Sequence, residues 1–186
     1  ALSDPVRVSI VRSLAAEGVP VSVDTMRSEV AAAALEAGAV MVNDVSGGLA
    51  DPRILEVTAG HGAAFVAMHW RGHSEVMQQH ASYDDVVGEV RDELRRRVED
   101  AVAAGVSQDR IAVDPGLGFA KTAEHNWELL AHLPALDELG LPILLGSSRK
   151  SFLGALLADA DGNPRPVLDR EDANVALTTL AGLLGV

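Results

Sequence analysis

Short β-branched runs alternate with longer helical stretches along the chain, and this alternation constrains the fold more than any other feature. Five runs are predicted as strands, at 19–25, 39–44, 63–69, 110–114 and 141–146. Helical patterns follow them at 26–38, 51–62, 83–105, 123–140, 149–159 and 170–186. A strand-then-helix repeat predicts an α/β fold with a parallel sheet and right-handed crossovers. No linker or charge block divides the chain, so a single domain over residues 1–186 is expected.

Each predicted strand ends on polar residues at its carboxyl end. The strand ends are Asp24 and Thr25, Asn43 and Asp44, His69 after Met68, Asp114, and the stretch 146–150. In a (β/α)8 TIM barrel all such ends converge on one mouth, where active sites are built. A doubly wound sheet concentrates its ligands at one switch point and need not decorate every strand. The pattern therefore favours the barrel. Because such a barrel typically takes ~250 residues and eight strands, these five strands predict an incomplete one.

Local signals place several helix boundaries. Gly38 closes the predicted helix at 26–38, in the position that often adopts a left-handed conformation. Asp51 and Pro52 suit the N-cap and first turn of the helix at 51–62. The long helix at 83–105 has apolar residues every fourth position, which predicts one buried stripe of Val86, Val90, Leu94, Val98 and Val102.

Composition excludes several classes of function. There is no cysteine, which removes disulfides and thiolate metal sites, and the six histidines lack metal-ligand spacing. The net charge of -12 argues against non-specific nucleic-acid binding. No apolar stretch approaches a membrane span, and residues 1–10 lack a signal-peptide layout. A cytoplasmic protein with no nucleic-acid or membrane partner is therefore expected.

Several strand-end residues also have ordinary structural interpretations. Asp24 is a favoured residue type for capping the next helix. Asn43 and Asp44 are common turn formers, since their side chains bond nearby backbone groups. His69 is consistent with simple packing after its strand. For each residue alone the structural interpretation is favoured, whereas the pattern shared by five strand ends favours a site.

Asp114 makes a stronger case for function. It follows the buried run "IAV", where an unpaired carboxylate is costly, so it needs donors or an opposite charge. Lys150, after another predicted strand, is a candidate partner. A carboxylate accepts two parallel hydrogen bonds, which suits a ring edge carrying adjacent N–H groups, whereas a lysine suits a carbonyl or ring nitrogen.

The stretch "GSSRKS" (146–151) groups hydroxyls and cations at a predicted helix start. Free backbone N–H groups and positive side chains favour phosphate binding there. The alternative is a capped helix with solvent-facing basic residues. We favour anion binding because this basic cluster stands out in an acidic chain. Neither the P-loop spacing nor the Rossmann glycine spacing is present.

Four stretches together resemble the dihydropteroate synthase family, in its actinobacterial, mycobacterial type. They are "VSVDTMRSEVAAAALEAGAVMVNDVSGG", "AMHWRG", "DPGLGFAKTAEHNWELL" and "GSSRKSFLG", in the family's order from about Gly18 onward. The resemblance implies a TIM-barrel transferase of folate biosynthesis, a sulfonamide target that condenses 6-hydroxymethyl-7,8-dihydropterin diphosphate with 4-aminobenzoate. It also implies Mg2+ with the diphosphate substrate, and a homodimer.

Roles carry over from the resemblance to matching residues. Asp24 would stabilise positive charge beside the pterin, and Lys150 would donate to the pterin carbonyl and ring nitrogen; both are the candidate catalytic residues. Asn43 and Asp114 would bind the pterin's aminopyrimidine edge, and Met68 would pack on its ring. The aminobenzoate pocket would be lined by Gly118, Phe119, Ser148 and Lys150, and the diphosphate would be bound by Ser148 and Arg149.

Parts of the family pattern have no match. The family's opening "NxTPDSFSDGG"-like loop, which carries the magnesium-linked Asn, and its closing Arg-x-His motif are not found. We therefore expect strands three to seven of the barrel, no metal ligand in this chain, and an incomplete diphosphate site. A non-catalytic pterin-binding paralogue and a pterin-dependent methyltransferase domain stay open as alternatives.

Overall fold

The computed structural model describes residues 5–73 and 80–186. Contacts divide the chain into two compact units. Unit 1 comprises Ala1–His69 and Glu93–Val113, and unit 2 comprises Trp70–Asp92 and Asp114–Val186. The single-domain expectation stays a prediction.

Seven α-helices and four β-strands make up the described chain. The helices are α1 (Pro5–Ala16), α2 (Ser28–Glu36), α3 (Arg53–Gly60), α4 (Val86–Ala103), α5 (Ala123–Ala131), α6 (Ser151–Leu156) and α7 (Glu171–Leu183). The strands are β1 (Ser22–Asp24), β2 (Met41–Asp44), β3 (Ala64–Met68) and β4 (Ile111–Asp114). Short 3-10 turns lie at Gln108–Arg110, Leu133–Leu139 and Val167–Asp169. Helix α1 was not predicted from the sequence.

The four strands form one sheet in the order β1-β2-β3-β4. Strands β1 and β2 are parallel, as are β2 and β3, which confirms the parallel prediction for these pairs. Each strand lies beside its successor, with no reversal of order. A doubly wound sheet reverses its order at the switch point, so this order is the one expected of a barrel.

The fifth predicted strand, 141–146, is wrong. Only Ile143 makes a β-bridge there, and its neighbours have no strand assignment. Pro142 carries no N–H and cannot donate to a strand ladder. Leu144 is also 37% exposed, unlike a residue on a strand buried on both faces.

The predicted helix at 123–140 is interrupted. Helix α5 ends at Ala131, and a 3-10 turn over Leu133–Leu139 follows. Pro134 explains the break, because proline removes an intrahelical hydrogen bond and clashes with the preceding turn.

The buried stripe on α4 is confirmed at its start and wrong at its end. Val86, Val90 and Leu94 are buried, whereas Val102 is 43% exposed and Ala101 is buried in its place. A strict four-residue spacing drifts around a helix of 3.6 residues per turn, so the last member leaves the buried face.

Gly38 has the predicted left-handed conformation, with φ at 108°. A Cβ at this position would lie 2.5 Å from Ala15 Cβ in α1. Gly38 therefore both ends α2 and permits the close approach of α1.

The core of unit 1 is the central sheet with its covering helices. Its fully buried side chains include Val42, Phe65, Val66 and Ala67 from β2 and β3, and Ile54 from α3. Burying the apolar faces of these elements fixes the sheet, and so fixes the carboxyl ends of its strands. Within residues 5–73 and 80–186, no helix is both long and apolar enough to span a bilayer.

Candidate active site

Asp24 and Asn43 lie side by side at the carboxyl ends of β1 and β2. They are register partners in the sheet, and Asn43 Nδ2 donates to Asp24 Oδ2 at 3.2 Å. Asp24 is exposed, and α2 begins only at Ser28. The capping interpretation of Asp24 is therefore wrong, and its carboxylate remains accessible to a ligand.

The side-chain oxygen of Asn43 is the most informative atom in unit 1. Oδ1 is buried, and no donor in the described part of the chain bonds to it. Buried polar atoms nearly always have a partner, and those without one need an explanation. The bond to Asp24 engages the amide nitrogen, which leaves the oxygen as an acceptor for a ligand N–H.

Asp51 caps a different helix from the predicted one. Its Oδ2 accepts from the Ser28 backbone N–H at 2.9 Å, at the start of α2 rather than of α3. The hydrogen bonds from Ser28, together with Arg53, lower the pKa of Asp51 to about 2. The N-cap prediction within its own helix is wrong, because the partner is brought close by tertiary packing.

Asp44 confirms its interpretation as a turn former. It is fully buried, and its carboxylate accepts from Ser46 N, Ser46 Oγ and Gly48 N, each at 2.8 Å. Burial raises the pKa of Asp44 against the opposing effect of these bonds. The residue thus fixes the loop that follows Asn43.

Replacing Asp44 with Ala is expected to destabilise the fold by about 2–4 kcal/mol, since two buried backbone N–H groups lose their acceptor. Chemical denaturation of the full-length protein measures the change. Asp100→Ala, at a partly exposed ion pair with Arg97 on α4, is the control and should cost under about 1 kcal/mol. Equal effects of the two substitutions would contradict this account of the loop.

Met68 is the last residue of β3 and His69 follows it, and both are buried. The Nε2 of His69 lies 3.0 Å from Glu93 Oε2, which fits the packing interpretation of this histidine. The contact of Met68 with a pterin ring stays a prediction.

In unit 2, Asp114 lies at the end of β4 and is 7% exposed. Gly116 N donates to its Oδ1 at 2.7 Å. Burial raises the pKa of Asp114 to about 6, although this bond and the charges of Lys150 and Lys121 oppose the rise. The protein's hydrogen bond and charges therefore do not fully offset the cost of burying this carboxylate, which is expected of a group that binds donors on a ligand.

Lys150 lies near Asp114 without forming a direct ion pair. Burial lowers the pKa of Lys150, and the charge of Asp114 opposes that effect. Its Nζ lies 4.0 Å from the centroid of the Phe119 ring, a cation–π contact. Lys150 and Asp114 therefore interact through their charges, as predicted, without a direct ion pair. Asp114, Phe119 and Lys150 all lie in unit 2.

Lys121 is a site-supporting residue that sequence reasoning missed. It is 4% exposed, and its Nζ donates to the carbonyls of Gly116 at 3.2 Å and Phe119 at 3.1 Å. The chain has two lysines, and the charges of both act on Asp114. The small number of lysines was the sequence signal that could have pointed to Lys121.

Gly118, in the loop at 114–121, permits a close approach between the loop backbone and the Lys150 side chain. Gly118 has φ at 76°, and a Cβ there would lie 3.0 Å from Lys150 Cδ. Gly118 N donates to Asn126 Oδ1 at 2.7 Å, and Tyr83 Oη donates to the carbonyl of Ala120 at 2.9 Å. The loop is therefore held by side chains, and the lysine stem passes over its backbone.

The predicted anion loop precedes a short helix. Ser148 and Arg149 are exposed, and Arg149 has a left-handed backbone with φ at 60°. Ser147 is buried and donates to Asn174 Oδ1 at 2.6 Å. Helix α6 begins at Ser151, so these residues form a loop before it. Their binding of diphosphate stays a prediction.

Known proteins match nearly the whole chain. A family model described as "Pterin binding enzyme" matches residues 6–186. Dihydropteroate synthase from Mycobacterium leprae is 54% identical over 179 residues, covering 96% of this chain and 63% of that enzyme. Dihydropteroate synthase from Thermus thermophilus in complex with 4-aminobenzoate superposes with a TM-score of 0.86 at 39% identity, covering 96% of this chain and 67% of that one. The same enzyme in complex with 6HMPPP gives a TM-score of 0.85.

These matches confirm the α/β fold as that of the dihydropteroate synthase TIM barrel, of which this chain spans a part. The chain covers less than two thirds of the length of the Mycobacterium leprae relative, at 63%. The match to the family model extends over both units of the structure. The chain therefore belongs to the pterin-binding enzyme family.

Proposed function

We propose that this chain carries the pterin-binding part of a dihydropteroate synthase. The reaction would join dihydropterin diphosphate to 4-aminobenzoate, giving 7,8-dihydropteroate and diphosphate. The observation that carries the proposal is the buried Asn43 Oδ1, an acceptor without a donor in the described chain. The pterin's aminopyrimidine edge is rich in N–H donors and would satisfy it.

Asp114 would bind the same class of donors. Its carboxylate is buried and, among the described residues, accepts one hydrogen bond, from Gly116. Adjacent N–H groups on a ring edge would supply the remaining hydrogen bonds to its two oxygens. Pterin binding would therefore favour the charged form of Asp114.

The chemistry needs stabilisation of charge rather than a covalent enzyme intermediate. The bond between the pterin methylene carbon and the diphosphate oxygen breaks, and its electron pair leaves with diphosphate. The amine nitrogen of 4-aminobenzoate then forms the new bond to carbon and releases a proton. Asp24 would stabilise the positive charge that develops on the pterin, which is the role a fixed carboxylate performs best.

Lys150 and Phe119 would act at the meeting point of the two substrates. The ammonium group would donate to the pterin carbonyl and ring nitrogen, and the ring of Phe119 would pack against aminobenzoate. The cation–π contact between them supports this arrangement. Gly118, Ser148 and Arg149 would complete the aminobenzoate and diphosphate contacts, as proposed from the family pattern.

Mg2+ is proposed to bind together with the diphosphate. In residues 5–73 and 80–186, no group of three or more His, Asp or Glu side chains is arranged to hold a metal ion. Magnesium commonly uses few protein groups, with waters and substrate phosphates supplying most ligands. When bound, it would neutralise charge on the leaving diphosphate. The homodimer rests on the resemblance and the cytoplasmic location on the sequence composition, and both stay predictions.

Product analysis of the full-length protein tests the proposed function. The protein is incubated with dihydropterin diphosphate, 4-aminobenzoate and Mg2+, and products are identified by mass spectrometry. Formation of dihydropteroate is expected. Pterin binding without product would favour the non-catalytic paralogue, and methyl transfer from a methylated folate would favour the methyltransferase.

Asp24→Asn is expected to lower kcat by about 100- to 1,000-fold with little change in the dissociation constant of the pterin substrate, because the charge acts mainly in the transition state. Steady-state kinetics and equilibrium binding measure the two effects. Asp100→Asn is the matched control and should leave kcat unchanged. If Asp24→Asn lowered affinity and left kcat intact, Asp24 would be a binding residue instead.

A further inference from the structure

Arg170, at the start of α7, is a buried side chain that the proposed reaction does not use. It is 9% exposed, and its guanidinium donates to three backbone carbonyls. Nη1 lies 2.9 Å from the carbonyl of Arg149 and 3.2 Å from that of Lys150. Nε donates to the carbonyl of Arg165 at 2.9 Å. One side chain thus joins the loop before α6 to the loop before α7.

The charge of Arg170 has no acidic partner among the described residues, since its bonding partners there are backbone carbonyls. Burying a cation in this way is unfavourable, and a neutral side chain could fill the same space at lower cost. The planar guanidinium differs from other side chains in that it directs several donors at fixed angles. Its geometry therefore matters beyond its volume.

Gly154, in the middle of α6, is shaped around the same guanidinium. A Cβ at Gly154 would lie 2.5 Å from Arg170 Nε and 2.6 Å from its Cζ and Nη2. Alanine is otherwise the better residue inside a helix. The absence of a side chain at Gly154 thus allows α6 to pack directly against the Arg170 guanidinium, within unit 2.

We propose that Arg170 is a positioning residue that fixes the backbone of Arg149 and Lys150, and thereby holds the Lys150 ammonium over Phe119 and near Asp114. The left-handed backbone of Arg149, which non-glycine residues seldom adopt, is the conformation its carbonyl bond would stabilise. The inference rests on the proposed function for its catalytic consequence, and on hydrogen bonds alone for its structural one.

Kinetics of the full-length protein test the catalytic consequence. Arg170→Met is expected to lower kcat/KM by about 100-fold, the scale for a catalytic group displaced by ~1 Å. Arg170→Lys keeps the positive charge but loses the planar set of donors, and its kcat/KM should stay below a tenth of the wild-type value. Gly154→Ala keeps Arg170 and should lower kcat/KM in the same direction. Arg91→Met, at a partly exposed ion pair with Glu138 in unit 2, is the control and should leave it unchanged.

Hydrogen exchange tests the structural consequence independently of enzymatic activity. The amides of Lys150 and Leu153, bonded to the carbonyls of Ser147 and Lys150, should exchange at least tenfold faster in Arg170→Met. Amides within α5 should be unchanged, which separates a local effect from unfolding. If wild type shows no synthase activity, the proposed function fails while this readout still decides the positioning role. Unchanged exchange in this loop, or full recovery by Arg170→Lys, would overturn the inference.

Discussion

Asp114→Asn is expected to stabilise the protein and to weaken pterin binding about 100-fold. Burial raises the pKa of Asp114 from 3.8 to about 6, which disfavours the ionised carboxylate in the folded state by about 3 kcal/mol, since a change of one in pKa corresponds to about 1.4 kcal/mol. Asparagine keeps an acceptor for the N–H of Gly116 without the charge. It also presents an N–H group to a ligand edge that carries donors, and so loses a charge-assisted hydrogen bond.

The two effects of this substitution have defined pH dependences. Because the folded pKa is raised above the unfolded value, the contribution of Asp114 to stability is present below pH 3.8 and is lost as pH rises through about 6. The stability gain of Asp114→Asn should therefore be largest above pH 7 and shrink toward pH 4. Pterin affinity of the wild type should increase as pH rises through about 6, and the variant should lack this dependence.

Denaturation curves and pterin titrations of the full-length protein, each between pH 5 and 8, measure both effects. Asp109→Asn is the control for the amide substitution, since Asp109 is exposed in the turn before β4. A variant that is less stable than wild type at pH 8, or that binds pterin equally well, would contradict the assignment of Asp114.

Lys150→Met is expected to lower kcat/KM by about 1,000-fold, at the upper end of the cost of removing one transition-state donor. Methionine keeps the length of the apolar stem that passes over Gly118 and removes the ammonium. Because Lys150 is one of two charges that lower the pKa of Asp114, that pKa should rise above about 6 in the variant. The pH at which pterin affinity increases should rise with it.

Steady-state kinetics and the pH dependence of pterin binding test this second prediction. Lys150→Arg is a useful comparison, because it keeps the charge while changing the donor geometry. It should return the pH at which binding strengthens to the wild-type value, but restore only part of kcat/KM. Activity of Lys150→Met within twofold of wild type would remove Lys150 from the catalytic residues.

The features that depend on local pattern could be predicted from the sequence. The four observed strands, their parallel pairing and the polar residues at their ends follow from β-branched runs and turn chemistry. Asp24 and Asn43 were expected near one another because adjacent parallel strands end at the same edge. The run at 141–146 misled because its apolar residues resemble a strand although Pro142 removes a donor.

The features that depend on tertiary packing could not be predicted in this way. Asp51 was expected to cap its own helix, but it caps α2 from 23 residues away. Lys121 and Arg170 act through backbone carbonyls of loops, whose directions no sequence pattern specifies. The contacts of such supporting residues become visible only with the folded loops, even where candidate ligand-binding residues can be predicted from the sequence.

The rate of diphosphate release, with and without 4-aminobenzoate, tests the central claim most directly. The full-length protein is given dihydropterin diphosphate and Mg2+, and diphosphate is measured continuously as the amine is added. Sustained release that requires 4-aminobenzoate, with one dihydropteroate formed per diphosphate, is the predicted result. Pterin binding without release, or release at a rate that the amine does not change, would contradict it.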